Sequence, residues 1–392
     1  MAALPIYVHV PKFYAELGLS LATLGIVLLI LRFADAFVDP LLGRWADRSS
    51  TRFFACLLGG AMLALGMLTL LNPGWSPFSL WVWLIFSLIL VYLGFSLSSI
   101  AHGAWGAELP RHPQQRATYT GTREAIGLIG VLFAAALPAV LSKDAAEGLA
   151  RFSWVFVALL VISLLALWGV REAKVVARDE NAIAETLKDH RFRALLAVFA
   201  LNGIASAIPA TLLLFFVDDV LKAKDWEPQF LVSYFLAGAL AMPLWLLLAR
   251  RIGKVGAWSI GMIVAVVAFI WAVSFGAGDR IPFLVVCIAT GVALGADLSL
   301  PPALLADIIA RANGQSRTGS YFGVWAFVTK ANLALAAGLA LPIVSALGYA
   351  VGKSDSNLAA LTYAYTLFPC ALKLCALALL WKFKTLFDER LP

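Results

Sequence analysis

The sequence predicts a polytopic all-α membrane protein with about twelve membrane spans. Of its 392 residues, 62% are hydrophobic and only 14% are charged, whereas about a quarter of the residues in a soluble domain are charged. The apolar residues form runs close to the roughly 20 residues that cross a bilayer as a helix, with charged or Pro/Gly-containing breaks between them. A β-barrel would need strict alternation over segments of about ten residues, and the run from Val155 to Val170 does not alternate.

The breaks between apolar runs place the spans in order along the chain. They are predicted at residues 2–15, 19–43, 53–72, 79–107, 122–142, 152–170, 195–217, 229–249, 256–276, 281–306, 319–345 and 358–383. The first span is too short, because helix from Met1 to Tyr14 covers only about 20 Å of a roughly 30 Å hydrocarbon core. We therefore expect residues upstream of the given start to complete this helix, whose N-terminus is predicted to be truncated.

The distribution of Lys and Arg sets the predicted orientation, because cytoplasmic loops are enriched in these residues. When the connections are numbered alternately, the even-numbered loops and the C-terminal tail hold twenty of the 30 basic residues and the opposite side holds seven. The net charge of +7 therefore reflects membrane topology and not a nucleic acid partner. The prediction is a multi-pass protein of the plasma (inner) membrane with a cytoplasmic C-terminus.

A charged connection near the middle of the chain divides it into two halves. The predicted domains are a six-helix bundle at 1–170, a cytoplasmic linker at 171–194 and a second six-helix bundle at 195–392. Each half has a basic turn between its second and third spans, which indicates a repeat; the alternative is that both turns are ordinary positive-inside loops. We assign four residues of the first turn to a cytoplasmic gate loop: Gly43, Asp47, Arg48 and Arg52.

The second predicted span carries Arg32, Asp35 and Asp39, although an ionisable group inside the bilayer is costly unless it is paired or hydrated. Spacings of three and four residues put these side chains on one helix face. The carboxylates can hold a monovalent cation, or they can share a proton because close carboxylates resist ionising together. The alternative is structural: Arg32 pairs with Asp35, and Asp39 caps a kink at Pro40.

Lys330 lies in the eleventh span, thirteen residues after Arg317 and at a depth similar to that of Asp35. If the halves face each other, the second and eleventh spans can meet and Lys330 can pair with Asp35 or Asp39. Such a pair would couple cation binding to conformational change. The alternative is that Lys330 extends to the inner membrane surface.

Two further charges lie in the second half. Asp297 in the tenth span precedes Pro301-Pro302, so it either lines a cavity or caps a helix break. Lys373 in the twelfth span lies nine residues before Lys382, and we expect its side chain to extend to the membrane surface.

His102 and Trp105 lie at the inner end of the fourth span. A histidine there is more often a hydrogen-bonded interior residue than a proton relay. Trp105 can face the pathway and stack on a ligand. We assign both residues to a candidate substrate cavity together with Asp297.

The sequence lacks the patterns of an enzyme. It contains no metal-ligand constellation, no phosphate-binding Gly-rich loop and no nucleophile elbow. Its four cysteines are scattered through apolar segments without ligand spacing. We therefore predict a protein without enzyme activity, metal site or cofactor.

Three motifs resemble those of one transporter family. They are R-x-x-D-A-x-x-D-P-x-x-G-x-x-x-D-R at 32–48, GAEL at 106–109 and YFGVWAFVTK at 321–330. From about Tyr7 to the C-terminus the sequence resembles the glycoside-pentoside-hexuronide cation symporters, the melibiose permease-like family of the major facilitator superfamily. The resemblance implies the major facilitator fold, with two six-helix bundles and alternating access. It also implies that Asp35 and Asp39 are cation-site carboxylates, that Ser98 is a hydroxyl ligand, and that Lys330 couples to them.

The resemblance places Arg123 and Trp105 at the sugar cavity, but two other positions depart from the family pattern. Val38 stands where a sodium-binding member has an amide, which favours proton over sodium coupling. Ala101 stands where a carboxylate would grip the sugar. Lysophospholipid symporters are similar to this family and keep an acidic pair on the second helix, so an amphipathic substrate is the alternative.

These features predict a secondary active transporter that couples the symport of a small solute, of the sugar or glycoside class, to H+ or Na+. The alternatives are a transporter of lysolipids or other amphipathic, drug-like molecules and, from another class, a membrane enzyme or scaffold. The expected partners are the solute, a monovalent cation and the lipid bilayer, with no nucleic acid. The protein is expected to be a monomer.

Overall fold

The computed structural model describes residues 10, 13–14, 17–19, 21–49, 51–109, 113–142, 144–170, 182–312, 314–349 and 357–388. Its main elements are the α-helices α1 Leu21–Arg48, α2 Arg52–Leu71, α3 Leu80–Glu108, α4 Pro113–Leu141, α5 Ala145–Leu167, α6 Ala182–Lys188, α7 His190–Phe215, α8 Glu227–Trp271, α9 Arg280–Arg311, α10 Thr318–Ala346, α11 Leu358–Lys382 and α12 Lys384–Asp388.

Most predicted spans coincide with one helix each. The eighth and ninth both lie in α8, whose helical backbone is interrupted at Gly253 (φ 82°, ψ 160°). Only glycine adopts such a conformation readily, so Gly253 provides the break in the helix at the basic turn between these two spans. The first predicted span, 2–15, falls mostly outside the described residues. Within the described residues, seven helical segments are long and apolar enough to cross a membrane, and one of them contains both the eighth and ninth spans.

The predicted linker 171–194 is partly helical. Residues 182–188 form α6, and α7 begins at His190, five residues before the predicted start of the seventh span. The cause is Asp189, whose carboxylate accepts hydrogen bonds from the backbone N–H groups of Arg191 and Phe192. An N-cap of this kind starts a helix in polar sequence, which an apolar-run prediction misses.

The helices divide into two compact units. Unit 1 contains α1, α2, α3 and α5, with residues 129–141 of α4, 182–186 of α6 and 318–327 of α10. Unit 2 contains α7, α8, α9, α11 and α12, with residues 113–128 of α4, 187–188 of α6 and 328–346 of α10. Parts of α4 and α10 therefore group with helices distant from them in sequence, whereas the predicted domains follow chain order.

Each unit has an apolar interior. In unit 1, fully buried side chains of α2, α3 and α5 pack together, among them Met67, Leu84 and Phe152. In unit 2, Phe216 stacks on Tyr365 with ring centroids 4.3 Å apart. Large apolar side chains are also exposed, such as Val140 (77%), Trp168 (74%) and Leu240 (68%). Water would make such surfaces unfavourable, whereas lipid solvates them.

Candidate functional site

The acid pair of the second predicted span lies on α1, inside unit 1. Asp35 is 7% exposed and Asp39 is fully buried. Ser96 of α3 donates a hydrogen bond to Asp35 Oδ1 over 2.9 Å. Arg32, one turn earlier, is exposed. The structure thus holds two carboxylates one turn apart in a buried position.

The hydroxyl that donates the described hydrogen bond to Asp35 belongs to Ser96, whereas the resemblance implies Ser98 as the hydroxyl ligand. Ser98 lies against α2, where a Cβ atom built on Gly59 would be 2.6 Å from Ser98 Oγ. Two residues on a helix are separated by about 200° around its axis, so when Ser96 faces Asp35, Ser98 faces away. We therefore add Ser96 to the candidate site, and the role of Ser98 as a hydroxyl ligand stays a prediction.

Glycines bring α1 and α10 into backbone contact beside Asp39. Gly43 packs against the backbone carbonyl of Gly319. A Cβ atom on Gly323 would lie 2.6 Å from the Asp39 carbonyl oxygen and 3.0 Å from Pro40 Cα. Small residues allow such close helix packing inside membranes, and here they fix the backbone that carries Asp39.

We expect Gly323→Ala to weaken this packing, because the added methyl group meets backbone and not a flexible side chain. Overpacking of this kind costs about 1–3 kcal/mol. The purified variant should unfold at a lower temperature than wild type and transport more slowly. Gly106→Ala is the matched control, since nothing lies within 4 Å of a Cβ atom at that helical position. Equal thermal stability of the two variants would contradict the proposed contact.

The carboxylate of Asp47 binds the first turn of α10. Asp47 Oδ1 accepts a hydrogen bond from Gly319 N over 2.6 Å. Asp47 Oδ2 accepts from Ser320 N over 2.7 Å and from Ser320 Oγ over 2.8 Å. Free N–H groups and the helix dipole make a helix N-terminus a site for an anion. Asp47 of the predicted gate loop therefore anchors the end of α1 to the start of α10.

Arg52 extends this contact to α3. Its guanidinium lies 3.0 Å from Asp47 Oδ1 and 2.7 Å from Glu108 Oε1, and it donates to the Ala46 carbonyl over 2.8 Å. All three charged side chains are at most 8% exposed. Arg48, assigned to the same loop, is exposed.

Unit 2 contains a counterpart of the Arg52–Glu108 pair. Lys254 follows the turn at Gly253 and forms an ion pair with Asp307 near the end of α9. In each unit a basic residue just after the turn thus pairs with an acid at the end of the following helix. This shared arrangement supports the predicted internal repeat.

Asp297 and Lys373 form a second buried cluster, inside unit 2. Lys373 Nζ lies 2.7 Å from Asp297 Oδ2, and the two side chains are 9% and 12% exposed, lysine first. Lys373 also donates to Asn202 Oδ1 over 2.8 Å and to Ser206 Oγ over 3.2 Å. Trp258 Nε1 donates to Asp297 Oδ1 over 2.8 Å. The prediction that Lys373 extends to the membrane surface is therefore wrong, because a carboxylate on α9 balances its charge inside the bundle.

The other predicted site residues are Trp105, Arg123, His102 and Lys330. Trp105 is 1% exposed within an apolar cluster of α1, α2 and α3. Arg123 belongs to unit 2 and pairs with its neighbour Glu124. His102 and Lys330 are partly buried. Their roles at a substrate cavity or in charge coupling stay predictions.

Comparison with known proteins identifies the family. Residues 1–385 match the family described as MFS/sugar transport protein. A glucuronide carrier protein homolog of Escherichia coli K12 is 25% identical, with 97% of this chain and 88% of the relative covered.

Solved structures share the fold. A bacterial homologue of the iron transporter ferroportin, in an outward-facing state, matches with a TM-score of 0.72 and 18% identity over 98% of this chain and 95% of its own. The E. coli fucose:proton symporter matches with a TM-score of 0.71 and 13% identity over 97% of this chain and 93% of its own. The predicted all-α major facilitator fold and the family resemblance are confirmed, and these relatives are transporters and not enzymes. The chain belongs to the MFS sugar-transport family of integral membrane transporters.

Proposed function

We propose that the protein is a cation-coupled symporter that moves a small solute of the sugar class by alternating access. The observation that carries the proposal is the buried acid pair on α1, with Asp35 7% exposed and Asp39 fully buried. Carboxylates at membrane depth are costly and usually mark ion or substrate pathways.

The surroundings of the pair favour a proton as the coupling ion. A hard metal cation requires several oxygen ligands, and the family resemblance implies that a sodium-binding member supplies one of them as an amide between the two acids. Val38, between the acids, has no side-chain oxygen. A proton needs only one carboxylate oxygen, and a pair of nearby carboxylates favours sharing it.

We expect an inwardly directed proton gradient, with the outside more acidic than the inside, to drive uptake into proteoliposomes without sodium on either side. Adding a sodium gradient at constant pH should leave the accumulation ratio unchanged, because Val38 supplies no side-chain oxygen ligand between the two acids. The measurement is the internal substrate concentration at steady state under each gradient. A protonophore is the control, since it should abolish the accumulation. Strict sodium dependence would overturn the assignment of the proton.

Two observations support a sugar-class substrate. The family is described by sugar transport, and the relative from E. coli is named for a glucuronide. Ala101, where the family resemblance expects a sugar-gripping carboxylate, is fully buried in an apolar cluster. If the substrate is a sugar, its hydroxyl groups are therefore held by other polar residues.

The proposal also includes the orientation in the membrane. The distribution of Lys and Arg supports a cytoplasmic C-terminus.

A further inference from the structure

Unit 2 contains a partly open cavity of about 250 Å³ whose lining includes the charged cluster of Asp297 and Lys373, called the floor below. Its wall comes from α7, α8, α9 and α11 and is mainly apolar, with six aromatic side chains: Phe230, Tyr234, Phe235, Phe269, Phe283 and Tyr365. Ring contacts between these side chains hold the wall together, with Phe230 perpendicular to Phe283 at 4.8 Å and Phe269 tilted on Tyr365 at 5.3 Å. The cavity is therefore preformed within one unit.

Stability alone does not account for this arrangement. A void deprives its lining atoms of dispersion contacts, and a buried ion pair is often no more stabilising than apolar residues of similar volume. Here both features occur together, and the polar cluster joins four helices through Asn202, Trp258, Asp297 and Lys373. An apolar cavity with a few convergent polar groups is the usual form of a small-molecule site.

The hydrogen-bonding capacity of the floor determines which head group fits. An ammonium group has three donors, and Lys373 uses them on Asn202, Ser206 and Asp297. A carboxylate has about four acceptor positions. Among the described residues, Asp297 receives short hydrogen bonds from Lys373 and Trp258, and Ser206 Oγ lies at 3.5 Å. Spare capacity thus remains on the acceptor Asp297 and not on the donor Lys373.

The charges of Asp297 and Lys373 also favour a hydrogen-bond donor, and they favour one that is neutral. The ammonium of Lys373 would repel a cationic head group, and the carboxylate of Asp297 would repel an anionic one. A neutral group that donates a hydrogen bond avoids both conflicts. A dry cavity of about 150 Å³ accommodates benzene, so the volume here suits about two fused rings.

We propose that this cavity binds a neutral aromatic or alicyclic molecule of about two rings, whose single hydroxyl or amide N–H group donates a hydrogen bond to Asp297. The site lies within unit 2 and is separate from the acid pair on α1. The proposal of this binding site does not depend on the proposed coupling mechanism.

Binding of 1-naphthol to the purified protein in lipid nanodiscs tests this proposal by equilibrium dialysis, with empty nanodiscs as the blank. We expect saturable binding by the wild type, and at least about tenfold weaker binding of 1-methoxynaphthalene, because it lacks the donor. Naphthalene-1-carboxylate and naphthalen-1-ylmethylammonium should also bind more weakly. Tighter binding of either ion, or no saturable binding of 1-naphthol, would overturn the proposal. No ion gradient is present, so the result is independent of whether transport is coupled.

Two variants locate the binding. Ala210 lines the cavity and is exposed, so Ala210→Trp should fill the cavity and abolish binding. Ala197→Trp is the matched control, at an exposed position of the same helix outside the lining. The double variant Asp297→Leu with Lys373→Met removes both charges together, a change that buried ion pairs often tolerate. It should bind 1-naphthol and 1-methoxynaphthalene equally, and a retained tenfold preference would exclude Asp297 as the acceptor.

Discussion

Asp39→Asn and Asp35→Asn are each expected to abolish accumulation of substrate against its gradient while leaving exchange of substrate across the membrane. An amide has nearly the shape of the carboxylate but cannot bind or release a proton in the same way. The solute pathway should therefore persist without its link to the ion gradient. This is the largest effect that we expect from a single substitution.

The size of the effect follows from the energy of the coupling ion. One elementary charge that crosses a membrane potential of 100 mV releases about 2.3 kcal/mol. Since about 1.4 kcal/mol corresponds to a factor of ten, one coupled proton supports roughly 50-fold accumulation at that potential. In either variant the accumulation ratio should fall to about one.

The test compares steady-state accumulation with counterflow exchange in the same proteoliposomes. Asp225→Asn is the matched control, because it makes the same chemical change at a side chain that is 62% exposed and pairs with Arg280. An exposed pair of this kind contributes little to stability, so this variant should behave as wild type. Concentrative uptake by the Asp35 or Asp39 variant at the wild-type level would refute the coupling role.

The sequence predicted the features that have a one-dimensional signature. Apolar runs of span length located the helices, and four-residue spacing predicted that Asp35 and Asp39 share a face of α1. Positive φ at Gly253 agrees with the basic turn predicted between the eighth and ninth spans. Burial of these acids also follows from sequence, because a charged group in an apolar span must avoid lipid.

Partners across helices were less predictable, because they depend on how each helix is rotated about its axis. Ser96 and Ser98 are equivalent in sequence, and only the rotation of α3 selects Ser96 for Asp35. Lys373 looked close enough to the membrane surface to extend to it, and its pairing depends on where α9 presents Asp297. The available signal was the presence of opposite charges in two otherwise apolar spans. The N-cap Asp189 likewise makes α7 begin earlier than predicted. Caps act through hydrogen bonds to backbone N–H groups, which a prediction from hydrophobicity does not detect.

The contact of Asp47 with α10 joins two parts of the chain that are 272 residues apart. Two of its three donors are backbone N–H groups, which every residue except proline has, so the side chains of α10 give little indication of the contact. The Thr-Gly-Ser sequence at 318–320 begins the helix, and Gly319 lets the α1 backbone approach. In an alternating-access cycle, a contact of this kind can stabilise one access state over the other.

Asp47→Ala is accordingly expected to destabilise the protein and to slow transport. The change removes the acceptor of three hydrogen bonds from Gly319 and Ser320 and one of the two carboxylate partners of Arg52. Breaking a buried charge pair costs about 3–5 kcal/mol. If the contact forms in one access state only, the equilibrium between states should shift by roughly a hundred- to several-thousand-fold.

Thermal unfolding of the purified variant and its initial uptake rate measure the two effects. Asp144→Ala is the matched control, because Asp144 also accepts hydrogen bonds from two backbone N–H groups at a helix start, those of Ala146 and Glu147. Asp144 caps its own helix at an exposed position, so its loss should cost only about 1 kcal/mol and leave uptake intact. The two aspartates differ in that only Asp47 joins separate helices through a buried charge network. Equal behaviour of the two variants would mean that the α1–α10 contact is an ordinary helix cap without a role in gating.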